Sequence, residues 1–400
     1  MSLIKRQMEE LEARGYGNSD KMVCHECTID YALKNYIKQN GHREICDYCG
    51  QDRKCVLLEN LMEPIMEGIF SEYDDAVGCL GWDSAEGGYL GVTYSTHELI
   101  HEELYDELGI NNDILLDDIA SLIDDRFVWC DRDPYCIRED ENAYYSWSAF
   151  SKLVKEKTRF VFYRVNENSN ESTFSSPAEI LDTIGGYVEL LNLITILAPP
   201  RRRLYRGRTH KNQNAFSSVA ELAPPPPEKA KANRMSPEGI PMFYGAFDKE
   251  TALSEIYCTT DEYATVAEFR LLRALKILDL TKPIWLRMPS LFDSDRRNRR
   301  APLLFLRRFA QDISQKATME NNIEYVPTQI VTEYFKHVFR TADGETLDGI
   351  VYRSAQKESG KCIVLFIDQK DCVEQGTSDK GVLSMNPAKL FQYHKAYLPI

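Results

Sequence analysis

Histidine and tryptophan are scarce in this chain, and positive charge is in deficit. Seven histidines and four tryptophans occur in 400 residues, and 62 acidic side chains outweigh 48 basic ones for a formal net charge of −14. Such a surface repels phosphate, which excludes general nucleic-acid binding but not a local basic pocket. The cluster Arg201, Arg202, Arg203, Arg206 and Arg208 is one such pocket candidate. Long apolar runs are also missing. The longest, Leu190–Ala198, is far short of the ~20 residues that span a bilayer. The first residues carry Glu9, Glu10 and Glu12 without an apolar stretch, so no signal peptide is expected. No internal repeat stands out. A cytoplasmic protein with no membrane role is the expectation, and its 43% apolar content suffices for a sizeable core in two or three domains.

Cysteine is present in quantity, with eleven residues unevenly spread. Four of them form Cys24-His25-Glu26-Cys27 and Cys46-Asp47-Tyr48-Cys49-Gly50, two CxxC pairs with eighteen residues between. Zinc takes four soft ligands in a tetrahedron, and each pair offers two thiolates from one tight turn. Coincidental thiols are the bland alternative. Structural zinc on Cys24, Cys27, Cys46 and Cys49 is the better reading, because a closed thiolate site serves folding and has no open position for catalysis. The cysteines are therefore expected to be reduced.

Three segments follow from patterning: a zinc-binding module at 1–55, a helical regulatory domain at 56–198, and a C-terminal α+β domain at 199–400. Ser2–Arg14 reads as a short charged helix, Thr28–Gln39 as another, and Thr96–Leu108 and Asn112–Ile123 as two more. Ser176-Pro177-Ala178-Glu179 is a helix-start signature whose helix runs towards Pro199-Pro200 with a bend at Gly185-Gly186. After Pro200, short β-rich runs appear at Leu275–Leu280, Ile350–Tyr352 and Cys362–Ile367. The proline run Pro224–Pro227 reads as an exposed loop.

His97-Glu98-Leu99-Ile100-His101 matches H-E-x-x-H, in which two imidazoles share a helix face and the glutamate can act as base of a zinc peptidase. Its surroundings, Glu98, Glu102, Glu103, Asp106 and Glu107, instead suit a solvated acidic face, and no third ligand stands out.

Seven pieces of the C-terminal half occur in a recognisable order. They are Leu204-Tyr205-Arg206; Arg234 ahead of Pro237-Glu238-Gly239-Ile240-Pro241-Met242-Phe243-Tyr244; Thr251-Ala252-Leu253-Ser254-Glu255; Leu278-Asp279-Leu280-Thr281; Tyr325-Val326-Pro327-Thr328-Gln329; Gly349-Ile350-Val351-Tyr352-Arg353-Ser354; and Cys362-Ile363-Val364-Leu365-Phe366. This stretch, about two-fifths of the chain, resembles the RES-domain family of NAD-degrading, toxin-like proteins. The resemblance implies an α+β fold like that of ADP-ribosyltransferases, with a cleft between two sheets. It also implies NAD as substrate and, for many relatives, a silencing antitoxin partner. The site residues it implies are Arg206, Tyr244, Glu255 and Ser354, with Arg234 as a further dinucleotide contact. Met235 departs from the aromatic that usually follows this arginine. The N-terminal half resembles the HEPN-like helical extensions of longer members, without their R-x4–6-H ribonuclease motif.

The chemistry agrees with that assignment. A nicotinamide–ribose bond breaks with a cationic leaving group that departs neutral, so little acid help is needed. A negative group beside the developing oxocarbenium ion and a fixed ribose are the requirements, and Glu255 on a helix opened by Asp248 can meet both. Most helical glutamates only face solvent; the motif context is what singles this one out. Arg206 suits pyrophosphate, as guanidinium binds it in a bidentate manner, and Tyr244 can stack on a cationic ring. Ser354 is expected to offer its hydroxyl to the ribose or amide. Water, phosphate and protein all remain open as acceptors, so glycohydrolase, phosphorylase and ADP-ribosyltransferase are alternatives, as are a zinc peptidase and a non-catalytic binding module. A homodimer is also compatible.

Overall fold

The computed structural model describes residues 14–165, 178–200, 202–211, 216–256, 263–314, 322–378 and 380–394. The expected helix at Ser2–Arg14 (but for Arg14), the Ser176-Pro177 start signature and Arg201 of the basic cluster lie outside them. No helix among the described residues is long and apolar enough to cross a membrane. The fold is α+β. The chain separates into two compact units, one of residues 1–138 with 288–300 and one of 139–287 with 301–400. Compactness thus divides the chain near residue 138, not at 55 and 198: the cysteine segment shares a unit with the helices that follow it. The last helices before residue 198 belong with the sheet.

In the first unit, three strands, β1 (Met22–Cys24), β2 (His42–Ile45) and β3 (Asp52–Leu57), pair in the order β1-β3-β2. Helix α1 (Tyr31–Asn40) starts one residue after Asp30, whose carboxylate accepts the backbone N–H of Ala32 and Leu33 at 2.9 Å each. Helix α2 (Leu58–Glu72) buries Leu61, Met62, Ile65, Met66 and Ile69, a stripe at helical spacing. Residues 96–108 are helical as expected but not one α-helix. Thr96–Glu98 widens into a π-turn at Leu99–Glu103, then Tyr105–Leu108 closes on Gly109 with φ of 58°. Only glycine takes that left-handed angle without cost. Helix α3 (Asp113–Leu122) follows, capped by Asn112, whose side chain accepts the N–H of Leu115 at 3.0 Å.

The second unit is built on one nine-stranded sheet and carries helices that include α4 (Glu139–Glu156) and α7 (Arg300–Ser314). Its strands are β4 (Ile194–Leu197), β5 (Arg203–His210), β6 (Phe243–Ala246), β7 (Tyr263–Leu271), β8 (Leu275–Asp279), β9 (Gly349–Arg353), β10 (Lys361–Leu365), β11 (Cys372–Glu374) and β12 (Leu383–His394). They lie in the order β11-β12-β7-β5-β6-β10-β9-β8-β4. The three β-rich runs expected after Pro200 are β8, β9 and β10. The expected long helix from residue 179 ends at Leu190 (α5, Glu179–Leu190) instead of reaching Pro199. Asn192 takes a left-handed φ of 53°, and Ile194-Thr195-Ile196 then pairs antiparallel with β8. β-branched residues at a sheet edge favour the ladder over another helical turn. Helix α5 runs unbroken through Gly185, where a Cβ would come within 2.8 Å of the Tyr334 hydroxyl, so glycine permits close packing.

Instead of two sheets with a cleft between them, the sheet is continuous but nearly parts in its middle. β5 and β6 meet at one residue pair, Tyr205 with Ala246, whereas β5 pairs with β7 over eight residues and β6 with β10 over four. A core of Leu204, Phe243, Phe269, Ile277, Ile363 and Leu365 supports both sides of this junction.

Candidate active site

A cavity of about 770 Å³ opens where β5 and β6 diverge. Its walls include Tyr205, Arg206, Gly207 and Arg208 of β5, Tyr244 and Gly245 of β6, Arg234 and Ser236 from the preceding loop, and Glu255, Tyr352 and Cys362. Four of the five residues singled out in the sequence (Arg206, Arg234, Tyr244 and Glu255) thus line one space. Ser354 does not line it but touches Glu255. The proline run is only in part an exposed loop: Pro227 is exposed, but Pro224 is buried, and Pro225 and Pro226 line the cavity. The expected exposed loop became a wall because Ala223 and Ala230, on either side of it, are buried.

Helix α6 (Lys249–Ile256) carries Glu255 and is opened by Asp248, whose carboxylate accepts the N–H of Thr251 at 2.8 Å and its hydroxyl at 2.7 Å. The helix lies directly on β5 at Gly207. Any Cβ there would come within 2.5 Å of Ile256 Cδ1 and 3.2 Å of the Ala252 carbonyl, so glycine sets the distance between Glu255 and the strand bearing Arg206. Ser354, just past β9, donates its hydroxyl to Glu255 Oε1 at 2.5 Å while accepting the backbone N–H groups of Gln356 and Lys357 at 3.1 and 3.0 Å. With both turn amides filling its lone pairs, the hydroxyl hydrogen can go only to the carboxylate. The Cys362 thiol reaches the same Oε1 at 3.5 Å, and burial, with Glu255 beside it, pushes that thiol well above its ordinary range. Both bonds end on one oxygen, so Oε2 can serve a substrate. Ser354 is therefore placed to orient the glutamate. We expect Ser354→Ala to lower turnover about tenfold with KM little changed, and Ser354→Thr to restore part of it; an unaltered rate in Ser354→Ala would rule this out.

The cationic wall is electrostatically unfinished. Arg206 donates Nη1 to the Tyr244 carbonyl at 3.1 Å and lies 5.1 Å from the Phe243 ring centre, but its Nε is buried without a hydrogen-bond partner. Burial, reinforced by Arg208, lowers its pKa to about 10, so it stays cationic near neutrality. Arg234 lies 5.8 Å from the Tyr352 ring centre, and its Nε and Nη1 are also buried without partners. Buried donors are nearly always satisfied, so such atoms on a cavity wall are open to the acceptor oxygens of an anion.

A segment quoted in the sequence without a role explains how Arg234 is held. From helix α8 (Val326–Glu333), Thr328 donates to the Arg234 carbonyl at 2.6 Å, and the Gln329 amide donates to the carbonyls of Asn233 and Ser236 at 2.8 and 3.2 Å. The motif Tyr325-Val326-Pro327-Thr328-Gln329 is thus a clamp on the arginine loop. Tyr244 is tied to the same loop: its hydroxyl meets Ser236 Oγ at 2.9 Å and accepts the Met235 N–H at 3.2 Å. Burial raises its pKa to about 12. Tyr352, whose pKa is also raised by burial, and Cys362 were not singled out; Tyr352 was visible in its motif, whereas nothing in the sequence puts Cys362 beside a glutamate 107 positions earlier. His210 and His394 do not line the cavity.

In the first unit, the four cysteines converge. Cys24 ends β1, Cys27 follows through a turn, Cys46 follows β2, and Gly50 closes the second turn with φ of 67°. Sulfur–sulfur distances are 3.6 Å for Cys24–Cys27 and Cys27–Cys46 and 3.5 Å for Cys24–Cys49. Four thiolates at 2.3 Å from one ion stand about 3.8 Å apart, so the quartet fits a metal. The H-E-x-x-H pair gains Asp117 as a neighbour, with all three candidate ligand atoms within 4.8 Å of one another. Glu98, however, is committed to a capping box, accepting the Ser95 N–H at 2.7 Å and hydroxyl at 2.8 Å.

Comparison with known proteins supplies two family models: RES domain over residues 202–384 and HEPN/RES N-terminal domain 1 over residues 39–168. No curated protein and no solved structure matches the chain. On these two matches, one after the other along the sequence, the chain belongs to the RES-domain family, carrying a HEPN/RES N-terminal domain ahead of its RES domain.

Proposed function

We propose that this protein consumes NAD by cleaving the nicotinamide–ribose N-glycosidic bond, with water or phosphate as acceptor, and acts as a bacterial toxin or defence effector held in check by a protein partner. The observation that carries the reading is the set of buried guanidinium nitrogens of Arg206 and Arg234 without partners on the wall of the cavity that Glu255 also lines. A pyrophosphate supplies the missing acceptors, and a dinucleotide-sized cavity suits it.

In this mechanism Arg206 and Arg234 hold the pyrophosphate, and Tyr244 and Tyr352 border the space for the nicotinamide. Glu255, oriented through Ser354, sits against the ribose. The C1′–N bond breaks with its electron pair going to the pyridinium nitrogen, which leaves as neutral nicotinamide. The carboxylate stabilises the oxocarbenium ion by charge alone. An acceptor oxygen then bonds to C1′; water loses a proton to solvent and gives ADP-ribose, whereas phosphate gives ADP-ribose phosphorylated at C1′. Transfer to a protein side chain would need a further residue to activate the acceptor, and none is assigned to that role. The peptidase alternative loses support because Glu98 is engaged by Ser95.

The Cys24, Cys27, Cys46 and Cys49 quartet is proposed as a structural zinc site, supported by the tetrahedral spacing of its sulfurs.

Incubating the full chain with NAD, with and without phosphate, and identifying products by mass tests the catalytic reading. Free ADP-ribose or its phosphorylated form is expected; unchanged NAD would refute it, and a mass shift on protein would favour transferase activity. Arg234→Ala should raise KM for NAD roughly tenfold to a hundredfold, because a charged hydrogen bond contributes about 1.5–3 kcal/mol; saturation kinetics check this.

A further inference from the structure

We propose that His97, His101 and Asp117 form a second metal site, separate from the cysteine quartet and from the NAD-cleaving cavity, that takes a divalent first-row transition ion. The three candidate ligand atoms lie within 4.8 Å of one another. His97 and His101, four residues apart, have their rings stacked 4.2 Å apart at 10°. His101 Nε2 is shielded from water and makes no hydrogen bond; its neighbour is Asp117 Oδ1 at 3.2 Å, at an angle that does not make one. A buried imidazole nitrogen facing a carboxylate without a hydrogen bond is an arrangement that an ion between the two would complete.

The backbone suits this use. The two histidines straddle the start of the π-turn at Leu99–Glu103, a distortion that recurs at functional sites. Asp117 comes from the middle of α3, on the far side of the chain reversal at Gly109. Ligands around one tetrahedral ion stand about 3.3 Å apart, given metal–ligand bonds near 2 Å. Closing from within 4.8 Å needs only side-chain rotation, and the Asp117 side chain, 65% exposed, has room for it. Two imidazoles and one carboxylate select zinc, nickel, cobalt or copper over magnesium and calcium. Three ligands leave a coordination position open.

This site is not a peptidase centre. The H-E-x-x-H mechanism needs Glu98 as base, and Glu98 instead caps its own helix through Ser95. The ion would tie the π-turn to α3 across Gly109, fixing a segment of the HEPN/RES N-terminal domain according to metal supply.

The test is a nickel titration of the untagged full chain, followed by calorimetry, with a cobalt absorption spectrum alongside. One saturable equivalent is expected for the wild type and for Glu98→Gln. His101→Ala and Asp117→Asn should each bind at least about tenfold more weakly, since even outer partners of a metal ligand contribute that much. The cobalt spectrum should lack the thiolate charge-transfer absorption of a cysteine site. No binding by the wild type, binding by Asp117→Asn equal to the wild type, or a thiolate band that tracks the titrated equivalent would each overturn the proposal. Asp117→Asn replaces an exposed side chain, so a folding defect in His101→Ala does not leave the question open.

Discussion

Glu255→Gln should abolish NAD consumption, lowering turnover about 10²–10⁴-fold, or roughly 3–5 kcal/mol of transition-state stabilisation, while leaving the fold and NAD affinity close to the wild type. The substitution is isosteric. Its amide oxygen can still accept the Ser354 hydroxyl now bonded to Oε1 at 2.5 Å, so the β9 end and α6 remain tied together. What is lost is negative charge at the anomeric carbon. The arginines that would bind pyrophosphate belong to other elements, Arg206 to β5 and Arg234 to the loop clamped by α8. Single-turnover rates and NAD binding measured on the same preparation check this. Turnover within about threefold of the wild type would remove Glu255 from the chemistry, whereas a parallel loss of NAD binding would make it a binding residue.

Cys46→Ser is expected to have the second-largest effect, on stability. Cys46 is fully buried, its sulfur is 3.6 Å from Cys27, and it accepts the Cys24 N–H at 3.3 Å. A serine hydroxyl is a poor zinc ligand, and structural zinc contributes folding free energy directly. Loss of one ligand should cost at least about 4 kcal/mol, equivalent to roughly 8–16 °C in the melting temperature of a unit this size. Metal analysis should show the bound zinc lost, and limited proteolysis should open the 22–57 segment. Full zinc content with an unchanged melting temperature would show that these thiols are held by packing alone.

The sequence by itself determined the local chemistry of this protein. Two CxxC pairs carry their own turn geometry, Gly50 included; Asp248 caps the helix of Glu255 within three residues; and the short apolar runs at 275–280, 350–352 and 362–367 fall on β8, β9 and β10. These features depend on neighbours a few positions apart, and spacing reveals them. The tertiary structure decided what depends on distant partners. The helix expected to reach Pro199 stopped at Leu190 because Ile194–Leu197 found β8 as a neighbour. Ser354, expected at the ribose or amide, bonds to Glu255 Oε1 and to two turn amides, a set of partners that only the packing of β9 against α6 brings together. Gly207 sets how closely α6 lies on β5, and Thr328 and Gln329 hold the Arg234 loop from more than ninety residues away. No periodicity encodes such pairings: they arise when separate elements are packed on one sheet, and the cavity exists because β5 and β6 meet there at a single residue pair.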